Sequence, residues 1–247
     1  MFKLFSKPRF PTNPVFRLLK ADMHSHLIPG IDDGAPDIET SLELIKGMVA
    51  LGYTKLITTP HILWDMYKNS NQVIQDGIAK LKEAVRNERL EVEIQGAAEY
   101  FLDDHVAELL RSKEKLLTIK ENMVLVEFSM AYHSHSLKDI LFEMQMQGYL
   151  PVIAHPERYI YLQKNKQFFE ELKDLGCLFQ MNVLSLTPHY GKSVQELASY
   201  LIKKEYYDLI GSDLHHKGHI EAMKNPALVS PLERLIASGK IRNADLV

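Results

Sequence analysis

Residues 18–26 read LLKADMHSH, a short hydrophobic run followed by polar side chains at alternate positions. We predict a β-strand over Leu18–Met23, because short runs of this kind alternate with longer helical patterns along the chain. The period of two in a strand would point Asp22, His24 and His26 toward one side. Two imidazoles on one side could bind a metal ion, and Asp22 could join them or orient one ring by accepting its other N–H. The stretch therefore predicts a strand that ends at a metal-binding edge.

Six further strand candidates follow, and helical patterns separate them. The strand candidates are Lys55–Thr59, Val92–Ala97, Val124–Phe128, Pro151–Ala154, Leu178–Asn182 and Leu209–Gly211. Amphipathic patterns include Ile38–Leu51, Val73–Val85, Leu137–Gln147, Phe168–Leu175 and Val194–Lys203. Strands that alternate with helices predict parallel βαβ units. In a parallel barrel the carboxyl ends of the strands share one rim, where side chains distant in sequence meet.

Histidines and acidic residues stand at or near the ends of these strand candidates: His61, Glu99, Glu127, His155, Asp213 and His215. One such histidine alone is more often an ordinary hydrogen-bonded residue, but the repetition argues against that interpretation. Glu99 and Glu127 adjoin apolar segments, where an unpaired charge is costly; a cation would remove that cost, and a buried salt bridge to Arg or Lys is the alternative. Mixed imidazole and carboxylate ligands suit Mn, Fe or Zn better than Ca.

Length and composition indicate an ordinary globular protein. The chain has 247 residues, 46% of them hydrophobic, which is enough to bury one sizeable core. Since no Gly/Ser-rich or Pro-rich linker interrupts the pattern, we expect a single domain over residues 1–247, with residues 1–18 as an N-terminal extension. Charges of both signs are mixed throughout, which argues against a nucleic-acid-binding surface.

The cellular compartment is suggested by what the sequence lacks. Cys177 is the single cysteine, so an intramolecular disulfide is excluded and a reducing compartment is favoured. The N-terminal sequence does not resemble a signal peptide, and no apolar run is long enough to cross a bilayer. We therefore expect a cytoplasmic protein without membrane insertion.

The ordered set of motifs resembles the polymerase-and-histidinol-phosphatase superfamily and, within it, the bacterial capsule-associated tyrosine-protein phosphatases. The segments that carry the resemblance are DMHSHLIPGIDDG (22–34), TTPH (58–61), GAAEY (96–100), VEFSM (126–130), VIAHPERY (152–159) and GSDLH (211–215). An isolated HxH would be weak evidence, whereas the complete set in order is specific and covers most of the chain.

The resemblance implies an α/β fold, a distorted (β/α)7 TIM-like barrel with the active site at the C-terminal ends of the strands. It also implies three divalent ions, manganese first, with iron or zinc as alternatives. The metal ligands carried over are His24, His26, His61, Glu99, Glu127, His155, Asp213 and His215. Asp33 matches a family acid near the metals and substrate, and Arg158 matches an arginine that receives phosphate. Where some relatives carry a further phosphate-binding arginine, Lys217 or His219 either substitutes for it or lies in a solvated loop.

The implied reaction is hydrolysis of phosphotyrosine by metal-activated hydroxide, with Asp33 protonating the leaving tyrosyl oxygen or ordering the water. The implied partner is the phosphotyrosine-bearing tail of a bacterial tyrosine kinase that controls capsule or exopolysaccharide synthesis, and an oligomer is compatible with the sequence. Two alternatives stay open: a small-molecule phosphatase such as histidinol phosphatase, and a metal-free regulatory or binding module.

Four further side chains have a predicted place in this scheme. Cys177 begins a hydrophobic strand pattern, and the phosphate-binding loop of cysteine-dependent phosphatases is missing, so Cys177 is predicted to be a core residue. Tyr132, Tyr159 and Tyr161 could line the mouth of the site, but packing in the barrel wall is the favoured interpretation for each.

Overall fold

This computed structural model describes residues 15–132, 134 and 136–247, so residues 1–14 of the expected N-terminal extension lie outside the described residues. The strands are β1 (Ala21–Asp22), β2 (Lys55–Thr58), β3 (His61–Ile62), β4 (Glu93–Gly96), β5 (Glu99–Phe101), β6 (Met123–Glu127), β7 (Leu150–Ala154), β8 (Leu178–Asn182) and β9 (Leu209–Gly211). The α-helices are α1 (Phe16–Leu19), α2 (Ile38–Leu51), α3 (Asn71–Asn87), α4 (Asp104–Arg111), α5 (Leu137–Met146), α6 (Gln167–Asp174), α7 (Lys192–Lys203), α8 (Lys217–Met223) and α9 (Val229–Ala237).

The strands of the described residues belong to seven extended segments, two of them interrupted. One segment contains β2 and β3, with a break at Thr59 and Pro60, and another contains β4 and β5, with a break at Ala97 and Ala98. Pro60 has no N–H to donate to a ladder, which accounts for the first break. β1 pairs with β2 and β2 with β4; beyond the breaks the order is β3, β5, β6, β7, β8, β9, and every pair is parallel.

The first and last segments close the sheet into a barrel. Ser25 forms a parallel bridge with Leu214, beside which the His26 N–H donates to the Leu214 carbonyl at 2.9 Å. One residue earlier on each segment, the Asp213 N–H donates to the His24 carbonyl at 2.8 Å. The predicted distorted (β/α)7 barrel is therefore confirmed, and the distortion consists of the two strand breaks and this short closing contact.

The two faces of the strands pack into different cores. Along β6, Met123 and Leu125 join a small cluster of buried residues, whereas Val124 and Val126 join the large cluster that includes residues of the helices. The small cluster takes one face of several strands and so fills the interior of the barrel. Glu127 has the same parity as Leu125, so the strand directs this carboxylate toward the interior at the carboxyl end.

The predicted strand over Leu18–Met23 is wrong at its start. Residues up to Leu19 form α1, and Lys20 ends that helix with a φ of 61°, so the strand begins at Ala21. Phe16 and Leu19 are buried, because α1 packs them into the large core at helical rather than strand spacing. The end of the expected extension thus contributes to the hydrophobic core.

Aspartate side chains cap two of the helices between the strands. Asp37 Oδ1 accepts the Thr40 N–H at 2.8 Å where α2 begins, and Asp103 Oδ1 accepts the Val106 N–H at 3.1 Å where α4 begins. α2 has the bounds that the hydrophobic pattern predicts. Within the described ranges, every helix lacks the length or the apolar character needed to span a bilayer.

Candidate metal centre

The structure brings all eight predicted metal ligands together at the carboxyl ends of the barrel strands. With Asp33 they fall into four overlapping groups whose potential ligand atoms lie within 4.8 Å of one another. The groups are His26, Asp33, His61 and His215; His24, His26 and Asp213; His24, Glu99 and His155; and His61, Glu99 and Glu127. Because each group shares a residue with another, the side chains form one continuous cluster.

Glu99 lies at the centre of the cluster and is fully buried. Its Oε2 lies 3.1 Å from His24 Nε2 and 3.2 Å from His61 Nδ1. Its Oε1 lies 3.2 Å from His155 Nε2. One carboxylate therefore contacts three imidazoles that come from three different barrel segments.

Asp213 is the second buried carboxylate of the cluster, and its two oxygens face different partners. Oδ1 lies 3.4 Å from His24 Nε2 and 3.5 Å from His26 Nε2. Oδ2 accepts hydrogen bonds from Arg158 at 2.7 Å and from the Asn182 amide at 3.1 Å. The hydrogen bonds to Oδ2 hold the carboxylate so that Oδ1 faces the histidines.

Backbone strain accompanies two of the candidate ligands. His155 has a φ of 32° and Asp213 a φ of 51°, in the left-handed region that side chains other than glycine seldom adopt. His155 directly follows the end of β7, and Asp213 lies two residues beyond the end of β9. The left-handed turns direct their side chains into the cluster, where a continuing strand would turn them elsewhere.

The cluster passes a test of fit for cations. Among the described residues, the buried atoms Glu99 Oε1 and His61 Nδ1 have no hydrogen-bond partner, although other polar atoms lie 3.0–3.2 Å away. Buried polar atoms are normally hydrogen-bonded. Because these two atoms are close to other polar atoms but poorly aligned with them, their arrangement is better suited to binding a shared cation than to hydrogen bonding. Among the residues that the structure describes, Glu99 and Glu127 form ion pairs with histidines and with neither Lys nor Arg. This argues against the alternative of a buried salt bridge to Arg or Lys.

Without bound cations, the carboxylates of the cluster favour the protonated forms of His24 and His61. Burial lowers the pKa of His24 and of His61, but the nearby carboxylates, Glu99 first, outweigh burial and raise these values to about 9 and about 10. Burial likewise opposes ionisation of Glu99, yet His24 and His61 hold its pKa well below the usual range. Divalent cations would replace these protons, so we expect binding to release them.

Hydrogen bonds behind the cluster orient two of the imidazoles. His26 Nδ1 lies 2.8 Å from Asp32 Oδ2, and His24 Nδ1 lies 2.9 Å from Gln180 Oε1. With Nδ1 donating to these oxygens, each ring presents Nε2 to the centre. The orienting role proposed for Asp22 is wrong, because its carboxylate accepts instead from the backbone and side chain of Ser212, at 2.8 and 2.7 Å.

The sequence patterns did not single out Asp32 and Gln180 as orienting residues. Asp32 also accepts the Gly34 N–H at 3.0 Å and the His61 N–H at 3.1 Å, so it joins two ligand-bearing segments. A Cβ at Gly34 would lie 2.3 Å from the His26 carbonyl oxygen, so only glycine allows this loop to close on His26. The available signals were the paired aspartates before Gly34 and a buried glutamine in the middle of the hydrophobic strand β8.

The two predicted catalytic residues border the cluster. The Arg158 side chain is 28% exposed, and its guanidinium carbon lies 4.8 Å from the Tyr190 ring centroid. Asp33 is 54% exposed, and its Oδ1 lies 3.4 Å from His215 Nε2. A hydrogen bond from His215 is the main cause that lowers the pKa of Asp33 to about 2. Asp33 is thus ionised at neutral pH, which suits ordering of water better than donation of a proton.

Two side chains considered for phosphate binding are engaged with other groups. Lys217 forms an ion pair with Glu43 at the start of α8. His219 is 8% exposed, and its Nδ1 lies 3.1 Å from the Asp213 carbonyl oxygen. Of the two predictions for this segment, the phosphate-binding one gains no support from these contacts.

The three tyrosines and the cysteine occupy distinct environments. Tyr159 is fully buried and stacks on Phe128 with ring centroids 3.9 Å apart, as predicted for the barrel wall. Tyr161 is half-buried, whereas Tyr132 is 67% exposed, so the prediction of packing for Tyr132 is wrong. Cys177 is 1% exposed, and burial raises the pKa of its thiol to about 12, which confirms it as a core residue.

The fold and the site define the class: a parallel β/α barrel with a histidine–carboxylate cluster at its carboxyl rim. The chain belongs to the CpsB/CapC family of capsular polysaccharide synthesis, whose model matches residues 20–234. It is 27% identical over 195 residues to the tyrosine-protein phosphatase YwqE of Bacillus subtilis, covering 79% of this chain and 77% of that protein. It is 28% identical over 200 residues to the tyrosine-protein phosphatase CpsB of Streptococcus pneumoniae, covering 79% and 82%.

Solved structures give the same picture of the fold. The chain superimposes with a TM-score of 0.77 and 25% identity on a structure from crystallographic work on YwqE and CpsB, described there as metal-dependent tyrosine phosphatases, covering 90% of this chain and 94% of that one. A histidinol phosphate phosphatase from Lactococcus lactis matches with a TM-score of 0.53 and 13% identity, covering 86% and 93%. The second likeness concerns the barrel alone.

Proposed function

We propose that this protein is a metal-dependent protein-tyrosine phosphatase that acts in capsule or exopolysaccharide synthesis. The observation that carries the proposal is the convergence of eight histidine and carboxylate side chains, with Glu99 at their centre, beside an arginine held by Asp213. The names of the relatives support phosphotyrosine as the substrate, and the family description supports the biological process. The partner we infer is the phosphotyrosine-bearing tail of a bacterial tyrosine kinase. Because a kinase uses cytoplasmic ATP, we infer that the two proteins interact in the cytoplasm.

The proposed cofactor is a cluster of three divalent ions, manganese first, with iron or zinc as alternatives. The residues that would hold it are His24, His26, His61, Glu99, Glu127, His155, Asp213 and His215. When bound, such ions lower the pKa of water and neutralise charge on phosphate oxygens. The mixed imidazole and carboxylate donors support these metals over Ca.

Arg158 is proposed to bind the phosphoryl group of the substrate. Its guanidinium lies over the face of Tyr190, and one guanidinium nitrogen donates to Asp213 Oδ2. The other N–H groups of the planar guanidinium remain to donate to two phosphate oxygens. Because the side chain is already held in place, little reorganisation is needed as charge builds on the phosphoryl group.

Asp33 is proposed to order the attacking water. Its carboxylate is half-exposed at the edge of the cluster and ionised, so it can accept a hydrogen bond from the attacking water and hold it in place. His215 Nδ1 lies 2.9 Å from the Asp213 carbonyl oxygen, which directs its Nε2 toward Asp33. The two residues thus form one hydrogen-bonded edge of the site.

The test of this function compares substrates and metal states. We expect manganese-loaded protein to hydrolyse a phosphotyrosyl peptide with a higher kcat/KM than histidinol phosphate, and to lose that activity on chelation. Readdition of manganese should restore it. A preference for histidinol phosphate would support the small-molecule alternative. Protein that binds no metal and hydrolyses neither substrate would support a regulatory module.

Replacement of Cys177 is expected to leave the phosphatase activity nearly unchanged. The thiol is buried with a raised pKa, so a nucleophilic thiolate is not available near neutral pH. The variant Cys177→Ser should keep kcat/KM within about threefold of the wild-type value, the loss reflecting only a polar atom placed in the core. Steady-state kinetics on a phosphotyrosyl peptide checks this, and complete loss of activity in a folded variant would favour a thiolate mechanism.

Replacement of Asp32 is expected to weaken metal binding. The variant Asp32→Asn keeps the size of the side chain but loses the charge that orients His26, and such changes behind a ligand lower metal affinity about 10- to 100-fold. Titration of metal-free protein with manganese by calorimetry measures the effect. Asp65→Asn, at an exposed position on the loop after β3, is the control and should bind as the wild type does.

A further inference from the structure

A groove of about 410 Å³ borders the candidate metal centre and shares Arg158 with it as part of its wall. Met130 lies on the loop after β6 and Ile160 lies in the segment after β7, so both belong to the rim that carries the cluster. They are 38% and 49% exposed. Val194, in the first turn of α7, also lines the groove, although it is only 6% exposed. The lining thus exposes aliphatic surface beside the centre.

Among the described residues, the charged side chains that line the groove are both cationic, Arg158 and Lys192. Lys192 is 87% exposed, and its Nζ is 3.6 Å from a carboxylate oxygen of the half-exposed Glu196, a pair that water largely screens. The first turn of α7 lines the groove as well, and its N-cap, Gly191, has no side chain to satisfy the helix N–H groups. The positive end of this helix therefore adds to the charge of the two cations.

Arg158 connects the groove to the centre geometrically. One of its nitrogens is 2.7 Å from Asp213 Oδ2 in the cluster, while its guanidinium lies over Tyr190, which lines the groove. A phosphoryl group bound at Arg158 would leave the rest of a substrate at the opening of this groove. In an extended peptide the next residue is about 3.5 Å further along the chain, so the groove lies within reach of residues beside the phosphotyrosine.

We propose that the groove binds the segment of a protein substrate next to the phosphotyrosine, with an apolar side chain against Met130 and Ile160 and an acidic side chain near Lys192. The aliphatic lining accounts for the apolar residue, and the cationic lining accounts for the acidic one. This inference rests on the proposed phosphatase function and adds a sequence preference to it. A substrate as small as phosphotyrosine itself would leave the groove unused.

Synthetic phosphotyrosyl peptides test the preference of the manganese-loaded protein. One set places Leu and Glu beside the phosphotyrosine, on its N-terminal or its C-terminal side, and a matched set replaces them with Ala and Gln. We expect kcat/KM to be about tenfold higher for one of the Leu–Glu peptides, the discrimination that one apolar side chain in a pocket provides. p-Nitrophenyl phosphate, which has no flanking residues, reports the activity of the centre alone.

Two variants assign the preference to the groove. Lys192→Glu and Ile160→Asp should each reduce the preference about fivefold or more, while activity on p-nitrophenyl phosphate stays at the wild-type value. The matched controls are Lys203→Glu, at the other end of α7, and Met146→Asp, 68% exposed at the end of α5. Both controls should keep the full preference.

A binding measurement separates recognition from turnover. The dissociation constant of a fluorescent Leu–Glu peptide with phosphonomethyl-phenylalanine in place of phosphotyrosine should rise in the two groove variants and not in the controls. Equal kcat/KM and equal binding for both peptide sets would overturn the groove assignment alone. Failure of the metal-loaded wild type to hydrolyse any phosphotyrosine substrate would overturn the proposed function, and the groove assignment with it.

Discussion

The variant Glu99→Gln is expected to lower kcat/KM for a phosphotyrosyl peptide by on the order of 10³-fold and to purify with less metal than the wild type. Glutamine has nearly the same shape, so the barrel need not rearrange. The lost negative charge is the one that faces His24, His61 and His155 at 3.1–3.2 Å. Without that charge, a neutral amide has to serve two of the four ligand groups at once.

Elemental analysis and steady-state kinetics on the same preparation measure both effects. Glu93→Gln is the matched control, because Glu93 lies in β4 of the same barrel segment but its side chain is 59% exposed and pairs with Lys55. It should keep wild-type metal content and activity. A Glu99→Gln protein that retained both would show that this cluster is not the site of the reaction.

The position of the cluster could be predicted from the sequence because parallel strands impose it. His61, His155 and Asp213 each stand at or just beyond the end of a hydrophobic strand pattern, and a parallel barrel gathers such ends at one rim. Glu99 and Glu127 were harder to place, since a buried glutamate fits an ion pair as well as a metal. Among the described residues, the ion-pair partners of both carboxylates are histidines, which favours a shared metal over a pair with Lys or Arg.

The hydrogen bonds behind the cluster could not be predicted in the same way. The partner of His24 is Gln180, 156 positions away, and the partner of Asp22 is Ser212, 190 positions away. Such pairs depend on the exact register of the barrel and on which face each residue occupies, and neither can be read from hydrophobic periodicity. Asp22 has the residue type and spacing expected for orienting a histidine, yet the closing contact of the barrel places it against Ser212, just after β9.

The start of the first strand was missed for a different reason. Leu18 and Leu19 look like the beginning of a strand because the run is too short to show a period. In the structure they end a one-turn helix whose Phe16 ring lies 5.5 Å from Tyr53 and whose apolar face packs into the core. Tertiary packing therefore decides the local conformation, as it often does for short apolar segments.

The variant Arg158→Ala is expected to lower kcat/KM by about 10²- to 10³-fold, the loss typical for removal of a donor that stabilises charge in the transition state. Its metal content should stay near the wild-type value, because Asp213 Oδ2 keeps the hydrogen bond from Asn182 and Oδ1 still faces the histidines. This separates Arg158 from Glu99, whose replacement should lower metal content and activity together.

Arg158→Lys distinguishes a phosphate-binding role from a general effect of charge. Lysine keeps the positive charge, but its single ammonium group cannot replace the planar guanidinium, which can donate to Asp213 and to two phosphate oxygens at once. We therefore expect Arg158→Lys to recover only part of the kcat/KM that Arg158→Ala loses. Weaker inhibition by inorganic phosphate should accompany the loss in both variants. Arg234→Ala, at an exposed position on α9, is the control and should change neither quantity. Inhibition by phosphate that is unchanged in Arg158→Ala would place phosphate recognition elsewhere on the rim, because a guanidinium that binds the substrate phosphoryl group must also bind the product.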